Sequence, residues 1–272
     1  MKCPKLVVVD LDGTVVKHSS ERQEPSEPVI KALAATLAAG VPVAVATGRP
    51  IWGALATARA LGLSEGFVSA SHGAVHYDLA SDAILDAKKI APADAIRRLS
   101  AVDGSLAFAA EHGYVGWRTT PNFERNFESS WSDVVDVDTL ASNDTTRLAV
   151  RLTTPGVFDP GVRCPRAAEL AMAAGLDESV YCQEVGFNGW IDVGPPGVTK
   201  ATGVAAIADH YGVSAAETVV FGDGGNDLPM FEWAGHAIAM GQAGEEVKTA
   251  ADEVAPGVDE DGVAVMLGRW FS

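Results

Sequence analysis

Basic residues are scarce in this chain: 20 lysines and arginines face 36 aspartates and glutamates, a formal net charge of −16. A surface for nucleic acid or an anionic membrane needs clustered cations that neutralise phosphates, so neither is expected as a partner. A small phosphorylated molecule remains compatible, provided a cation and a few basic side chains are focused at one place. Cysteine is scarcer. Cys3, Cys164 and Cys182 are few and odd in number, which fits the reduced thiols of a cytosolic protein better than a disulfide framework. No apolar run is as long as a membrane span, since even Val29 to Ala46 is broken by Lys31, Gly40 and Pro42. The apolar stretch behind Met1-Lys2-Cys3-Pro4-Lys5 is too short for a secretory signal, and Asp10 ends it. Internal repeats and low-complexity tracts are also missing. The expectation is a soluble, cytoplasmic protein.

What the chain does have is length and pattern. Its 272 residues exceed one domain of roughly 150, which predicts two units or one large α/β unit with a sizeable core. Asp10-Leu11-Asp12-Gly13-Thr14 follows the apolar run Leu6-Val7-Val8-Val9. A β-branched run that stops at two acids and a glycine reads as a buried parallel strand opening into a turn, where open α/β sheets put their chemistry. Two carboxylates one residue apart let the first attack while the second exchanges a proton with the leaving and entering oxygens. Both can help hold a hard cation. The alternative is an acidic turn in which Asp and Gly serve turn geometry alone.

Ile30, Leu33, Ala34 and Leu37 then recur at helical spacing before Gly40, and Val41 to Ala46 reads as the next strand. It ends at Thr47-Gly48-Arg49-Pro50, after which Pro50 can start a helix with Ile51, Leu55 and Ala58 on one face. A hydroxyl and a backbone N–H at such a place form a small anion site, although a plain strand-to-helix turn has the same look. Phe67 to Ala70 is a third strand, followed by Ser71-His72-Gly73 and a hairpin through Tyr77 and Ile84. The order βαβαβ implies a parallel sheet with right-handed crossovers.

From about Ala83 to Gly189 the pattern changes. A helix is expected around Ala93 to Val102, and strands at Ser105 to Ala110, Tyr114 to Arg118 and Arg147 to Thr153. A second helix carries Ala167, Leu170, Ala171 and Ala174 on one face, while Asn122 to Asp144 is polar enough for a long loop. Strands adjoining strands with two helices read as an α+β insert. Its Trp117 and Trp131, with Trp190 at the exit, serve as core or as stacking surface.

The α/β pattern is expected to return with Trp190-Ile191-Asp192-Val193. Thr199 can cap a helix presenting Val204, Ile207, Ala208 and Tyr211 and ending at Gly212. Lys200 would then lie in the first turn, against the helix dipole; a local rule broken there hints at function, with a solvated surface lysine as the alternative. Thr218 to Phe221 is another strand, ending at Gly222-Asp223-Gly224-Gly225-Asn226-Asp227, a second oxygen-rich cluster suited to a cation shared with Asp10 and Asp12.

Asp-x-Asp-Gly-Thr, Thr-Gly-Arg, Lys and Gly-Asp-Gly-Gly-Asn-Asp, in this order at successive strand ends, resemble the haloacid dehalogenase superfamily of phosphohydrolases, more narrowly its Cof-type branch with a type IIB cap. The resemblance covers the whole chain. It implies an α/β fold: a Rossmann-like, doubly wound parallel sheet core from 1–82 and 190–272, with an inserted α+β cap at 83–189. It further implies that Asp10 is the nucleophile, carrying an aspartyl phosphate, and Asp12 the general acid and base. Mg²⁺ would be held by the Asp10 carboxylate, the Asp12 carbonyl and Asp223, with Asp227 supporting. Thr47, Gly48, Lys200 and Asn226 would bind the phosphoryl group, and the cap would close over the site and select the leaving group. Phosphoryl transfer asks mainly for positioning and electrostatic stabilisation, which such a set supplies.

Where members of this branch often have Asn-Gly, this chain has His72-Gly73, so His72 either faces substrate or is structural. Arg49, Arg118, Arg125, Arg151 and Asn188 are candidates for gripping a leaving group, with ordinary salt bridges as the alternative for the arginines. The activity so implied is Mg²⁺-dependent hydrolysis of a small phosphate monoester, a sugar phosphate foremost. A phosphomutase of the same fold and a non-catalytic phosphosugar-binding protein are the alternatives.

Overall fold

A computed structural model describes residues 3–18, 24–124, 131–153, 164–186 and 190–271. Leu6–Val9 (β1) is apolar on both sides because both faces of the sheet are covered. Leu6 and Val8 turn to one face and Val7 and Val9 to the other. Ser26 caps helix α1 (Glu27–Ala38), its Oγ accepting from Val29 N at 3.4 Å, and Val43–Ala46 (β2) pairs parallel with β1. Pro50 opens α2 (Ile51–Ala60), as the preset φ of proline allows at a helix start. Phe67–Ala70 (β3) extends the parallel sheet; Val75–Asp78 (β4) returns antiparallel to it, and Ala83–Ala87 (β5) is the edge strand.

The chain then builds a second compact unit, residues 87–198. Its elements are α3 (Ala93–Val102), β6 (Ala107–His112), β7 (Gly116–Thr119), β8 (Ser132–Val134), α4 (Val137–Ala141), β9 (Leu148–Arg151), α5 (Pro165–Ala174), β10 (Cys182–Val185) and β11 (Trp190–Gly194). Among the described residues the strands are ordered β10-β11-β9-β6-β7-β8, antiparallel except for the β7–β8 pair. One sheet face packs Phe108, Leu148, Val150, Ile191 and Val193 against Leu99 of α3 and Leu170 of α5. The other face carries charge. Arg147 Nε lies 2.9 Å from Glu111 Oε1, and the guanidinium stands 5.1 Å from the centre of the Trp117 ring.

The first unit resumes with α6 (Lys200–Tyr211), β12 (Thr218–Gly222), α7 (Leu228–Trp233), β13 (His236–Ala239), α8 (Glu245–Ala250), β14 (Glu253–Val254) and α9 (Gly262–Leu267). Its sheet runs β14-β13-β12-β1-β2-β3-β4-β5. Val204 and Ile207 of α6, Met230 and Phe231 of α7 and Val247 of α8 pack on the Leu6 and Val8 face. On the other side α1 packs against β2 and α9, so the parallel sheet is wound on both faces.

Three expectations are corrected. Trp190–Gly194 belongs to the inserted sheet, where Ile191 stands opposite Val150 and Val193 opposite Leu148; its alternation fits either sheet, and the register of apolar partners decides. The unit borders accordingly fall at 86/87 and 198/199 instead of 82/83 and 189/190. The polar stretch 122–144 also holds strand β8 and a third helix, α4, capped by Asp136 Oδ1 accepting from Thr139 N at 2.7 Å. No helix among the described residues is long and apolar enough to cross a membrane, and the three cysteines are free thiols.

Candidate active site

Parallel pairing in register brings the C-terminal ends of β1, β2, β12 and β13 to one edge of the sheet. Asp10 leaves β1 there, tied by its N–H to Phe221 O at 3.0 Å. Asp223 and Asp227 sit just past β12. These three buried aspartates place carboxylate oxygens within 4.8 Å of one another.

Charge is offset from within. Lys200, the first residue of α6, is 1% exposed, and its Nζ lies 2.8 Å from Asp10 Oδ1 and 2.6 Å from Asp227 Oδ1. The helix-dipole penalty for a lysine at this position is outweighed by two carboxylates, and a solvated surface lysine is excluded. Asp227 Oδ2 accepts from the Asp223 and Gly224 N–H groups, both at 2.9 Å, so Asp227 fixes the glycine loop as well as Lys200. Burial raises the Asp10 carboxyl above its ordinary range; Lys200 opposes the rise, and Asp227, Asp223 and Asp12 add to it. Asp223 is likewise raised by burial, against the pull of His18.

These donors fit a hard divalent cation. Oxygen ligands are what Mg²⁺ takes, and three buried carboxylates this close, with the proton affinity of Asp10 and Asp223 raised, are a set whose repulsion a cation relieves. Both oxygens of Asp227 are engaged as above, while Asp10 Oδ2 and Asp223 Oδ1 stand outside these bonds. Asp10 and Asp223 are therefore the direct ligands the geometry favours, with Asp227 as their anchor.

Asp12 is built into a second cluster. Main-chain N–H groups of Val15 and Val16 bond to Leu11 O and Gly13 N–H to Val16 O, which folds the turn. Gly13 has φ +76°, and a Cβ there would stand 2.0 Å from Asp223 Oδ2, so only glycine fits. The Asp12 carboxylate accepts from Arg49 through two parallel bonds, Nε to Oδ2 at 2.7 Å and Nη2 to Oδ1 at 2.5 Å. Arg49 Nη1 donates to Thr57 Oγ1 of α2 at 2.8 Å. Thr47, 1% exposed, accepts at Oγ1 from Arg49 N at 3.1 Å, which leaves its hydroxyl proton to donate. Arg49 thus serves Asp12, where the sequence offered it as a substrate grip.

His72 lies over the same turn. Its N–H bonds to Thr47 O at 3.1 Å, and a Cβ on Gly48 would come within 2.6 Å of the imidazole. Ser71 and His72 both hold left-handed backbone, φ +50° and +57°. Asn226 is half-buried on the glycine loop beside Asp227.

Two polar groups near the acids escaped sequence reasoning. His18 Nε2 lies 3.0 Å from Asp223 Oδ2, and that hydrogen bond pushes its imidazole up to about 9, with burial opposing and the acidic cluster adding. Gln242 Nε2 donates to Gly13 O at 2.5 Å. Gln242 follows β13, so its signal was one more strand end on this edge. Nothing in its local pattern marks His18. Arg118, half-buried on β7 in the other unit, has a buried Nε without a hydrogen-bond partner among the described residues. Arg151 stands 5.3 Å from the centre of the Trp190 ring and donates to Glu124 O at 2.6 Å. Arg125 and Asn188 lie outside the described residues.

Comparison with known proteins gives the family. The family profile described as haloacid dehalogenase-like hydrolase matches residues 7–267. The 5-amino-6-(5-phospho-D-ribitylamino)uracil phosphatase YitU of Bacillus subtilis is 26% identical over 282 aligned positions, covering 99% of this chain and 98% of its own. Among solved structures, a phosphatase of the haloalkanoate superfamily from Bacteroides thetaiotaomicron superposes with a TM-score of 0.78 at 28% identity, over 98% of this chain and 95% of its own. A subclass IIB sugar phosphatase shares the fold, with a TM-score of 0.79 at 24% identity over 98% of both chains.

Proposed function

The chain belongs to the haloacid dehalogenase-like hydrolases, as a phosphatase, and from that premise we propose that it hydrolyses a small phosphate monoester through a phosphoryl group carried on Asp10. The substrate class proposed is a sugar phosphate or a related phosphorylated polyol; the relative from Bacillus subtilis acts on a phosphoribitylamino compound. The observation that carries the reading is the buried Lys200 ammonium between Asp10 and Asp227 at the head of β1. A phosphate dianion approaches three carboxylates only if fixed positive charge offsets the repulsion, and a dry, prearranged ammonium does so at little reorganisation cost.

In the first half-reaction a carboxylate oxygen of Asp10 attacks phosphorus. The bond from phosphorus to the ester oxygen breaks, and that oxygen takes a proton from Asp12. The Thr47 hydroxyl, the Gly48 N–H, the Asn226 amide and Lys200 hold the phosphoryl oxygens. In the second, water bonds to phosphorus and gives a proton to Asp12, and the bond from phosphorus to Asp10 breaks with its electron pair returning to the carboxylate. Asp10, Asp223 and the Asp12 carbonyl would hold Mg²⁺, with Asp227 behind them. When bound, the ion supplies positive charge against the developing charge on the phosphoryl group. Choice among esters is the role proposed for the inserted unit, which carries Arg118. Free thiols at Cys3, Cys164 and Cys182 suit a reducing compartment such as the cytoplasm.

The test is phosphate release from sugar phosphates, phosphorylated polyols, nucleotides and an aryl phosphate, with Mg²⁺ or chelator and Asp10→Asn as control. Metal-dependent release that the substitution abolishes supports the reading. Folded protein with Mg²⁺ that releases phosphate from no ester contradicts it.

A further inference from the structure

The two buried or half-buried cations of the site divide three of its four acids between them. Lys200 holds Asp10 and Asp227, and Arg49 holds Asp12. The Arg49 grip is stronger than a surface ion pair, because two parallel N–H donors meet two carboxylate oxygens and a third nitrogen is braced on Thr57. Its main chain is pinned as well, the N–H on Thr47 Oγ1 and the carbonyl accepting from Ser71 N at 2.8 Å. Nε, Nη1 and Nη2 are all engaged within the protein, which is not the arrangement of a side chain waiting for a ligand.

We infer that Arg49 is the positioning residue of Asp12 for the second half-reaction, in which the Asp12 carboxylate takes a proton from the attacking water. The inference rests on the proposed roles of Asp10 and Asp12. Each carboxylate oxygen has two lone pairs, and the fork uses one on each, so an oxygen held at fixed orientation still has a lone pair for the water proton. Both oxygens accepting is the form of a base; to donate a proton, Asp12 needs one oxygen released from the fork. Balance is kept. The water oxygen bonds to phosphorus, its proton goes to Asp12, and the Asp10 oxygen leaves phosphorus with the bonding pair. Without the fork the carboxylate samples other rotamers, and the water is activated in fewer of them.

The leaving group separates this role from substrate binding. Nitrophenolate departs without a proton, so the first half-reaction of p-nitrophenyl phosphate does not draw on Asp12. Wild type, Arg49→Met, Arg49→Lys and Thr57→Val are assayed with Mg²⁺ by stopped-flow release of nitrophenolate and by inhibition with inorganic phosphate. For Arg49→Met the expected result is a fall in kcat of about 30-fold or more with kcat/KM within about threefold of wild type. A burst approaching one nitrophenolate per active site precedes the slow phase, and inhibition by phosphate is unchanged. Arg49→Lys keeps the charge without the fork and stays closer to Arg49→Met than to wild type. Thr57→Val, which removes only the brace, moves kcat the same way by about two- to fivefold; if circular dichroism shows Arg49→Met unfolded, the other two variants decide on the same readouts. Equal falls in kcat and kcat/KM without a burst, weakened phosphate inhibition, or unchanged kcat each overturn the inference while leaving the phosphatase reading intact. Wild type that releases neither nitrophenolate nor phosphate from any ester overturns both.

Discussion

Lys200 reaches Asp10 from inside the protein: its Nζ lies 2.8 Å from Asp10 Oδ1, and the side chain is 1% exposed. A lysine buried this deeply is tolerated because Asp10 and Asp227 share it; burial alone would pull its proton affinity down, and the two carboxylates reverse that and raise it.

Lys200→Met leaves two buried acids without their cation. Removing one partner of a buried pair costs about 3–5 kcal/mol, with the lower end expected here because Asp10 can take up a proton. Urea unfolding measures this loss, and initial rates are expected to fall about 100- to 1,000-fold. A variant of wild-type stability and rate would remove Lys200 from the site.

Asp223→Asn is expected to abolish the cation response with little other change. Ligand at about 100 times its Kd stabilises the folded state by about 2.7 kcal/mol, so Mg²⁺ should raise the melting temperature of wild type and a chelator should reverse the rise. The substitution should remove most of that shift. Equal shifts in both proteins would count against Asp223 as a ligand.

Metal-free protein should lose stability as pH rises. His18 in the folded state is raised from an ordinary 6.5 to about 9, so between these values the folded protein binds more protons than the unfolded chain, and the stability this contributes is present below 6.5 and lost through 9. Asp10 and Asp223, also raised, push in the same direction from the ordinary carboxylate range upward. The His18 side chain is 55% exposed, so solvent screening keeps its share below about 1 kcal/mol. Chemical unfolding in chelator across this range should show the slope, and His18→Ala should flatten its alkaline part. A steeper slope in the variant would refute the assignment.

Gly13→Ala tests the turn that presents Asp12. Left-handed backbone and a Cβ 2.0 Å from Asp223 Oδ2 together predict a loss of about 1–3 kcal/mol and displacement of Asp223. Wild-type stability with an intact Mg²⁺ response would show that the turn relaxes freely.

Much of the candidate site was legible because its acids sit at strand ends that the sequence punctuates. The apolar run Leu6–Val9 stops at Asp10, and Thr218–Gly222 stops at Asp223. Helix α3 and the buried face of α5 followed from spacing alone, since an amphipathic stripe fixes both. Lys200 stood out by breaking the dipole rule, and its burial resolves the conflict. The sheet to which Trp190–Gly194 belongs was not legible, because alternation specifies a half-buried strand but not its neighbour. Nor was the pairing of Arg49 with Asp12, or of His18 with Asp223: each joins residues far apart in sequence, and only the assembled sheet edge brings them together.

The central claim is that the substrate phosphoryl group passes through Asp10. Asp12→Asn, in which the attacking water lacks its base, is mixed with Mg²⁺ and p-nitrophenyl phosphate, whose leaving group needs no proton from Asp12, acid-quenched at successive times, and digested for mass spectrometry. The account predicts one phosphoryl group on the peptide containing Asp10, dependent on Mg²⁺ and absent from the variant that also carries Asp10→Asn. A phosphoryl group found on another residue, or none at any time while wild type releases phosphate, would contradict it.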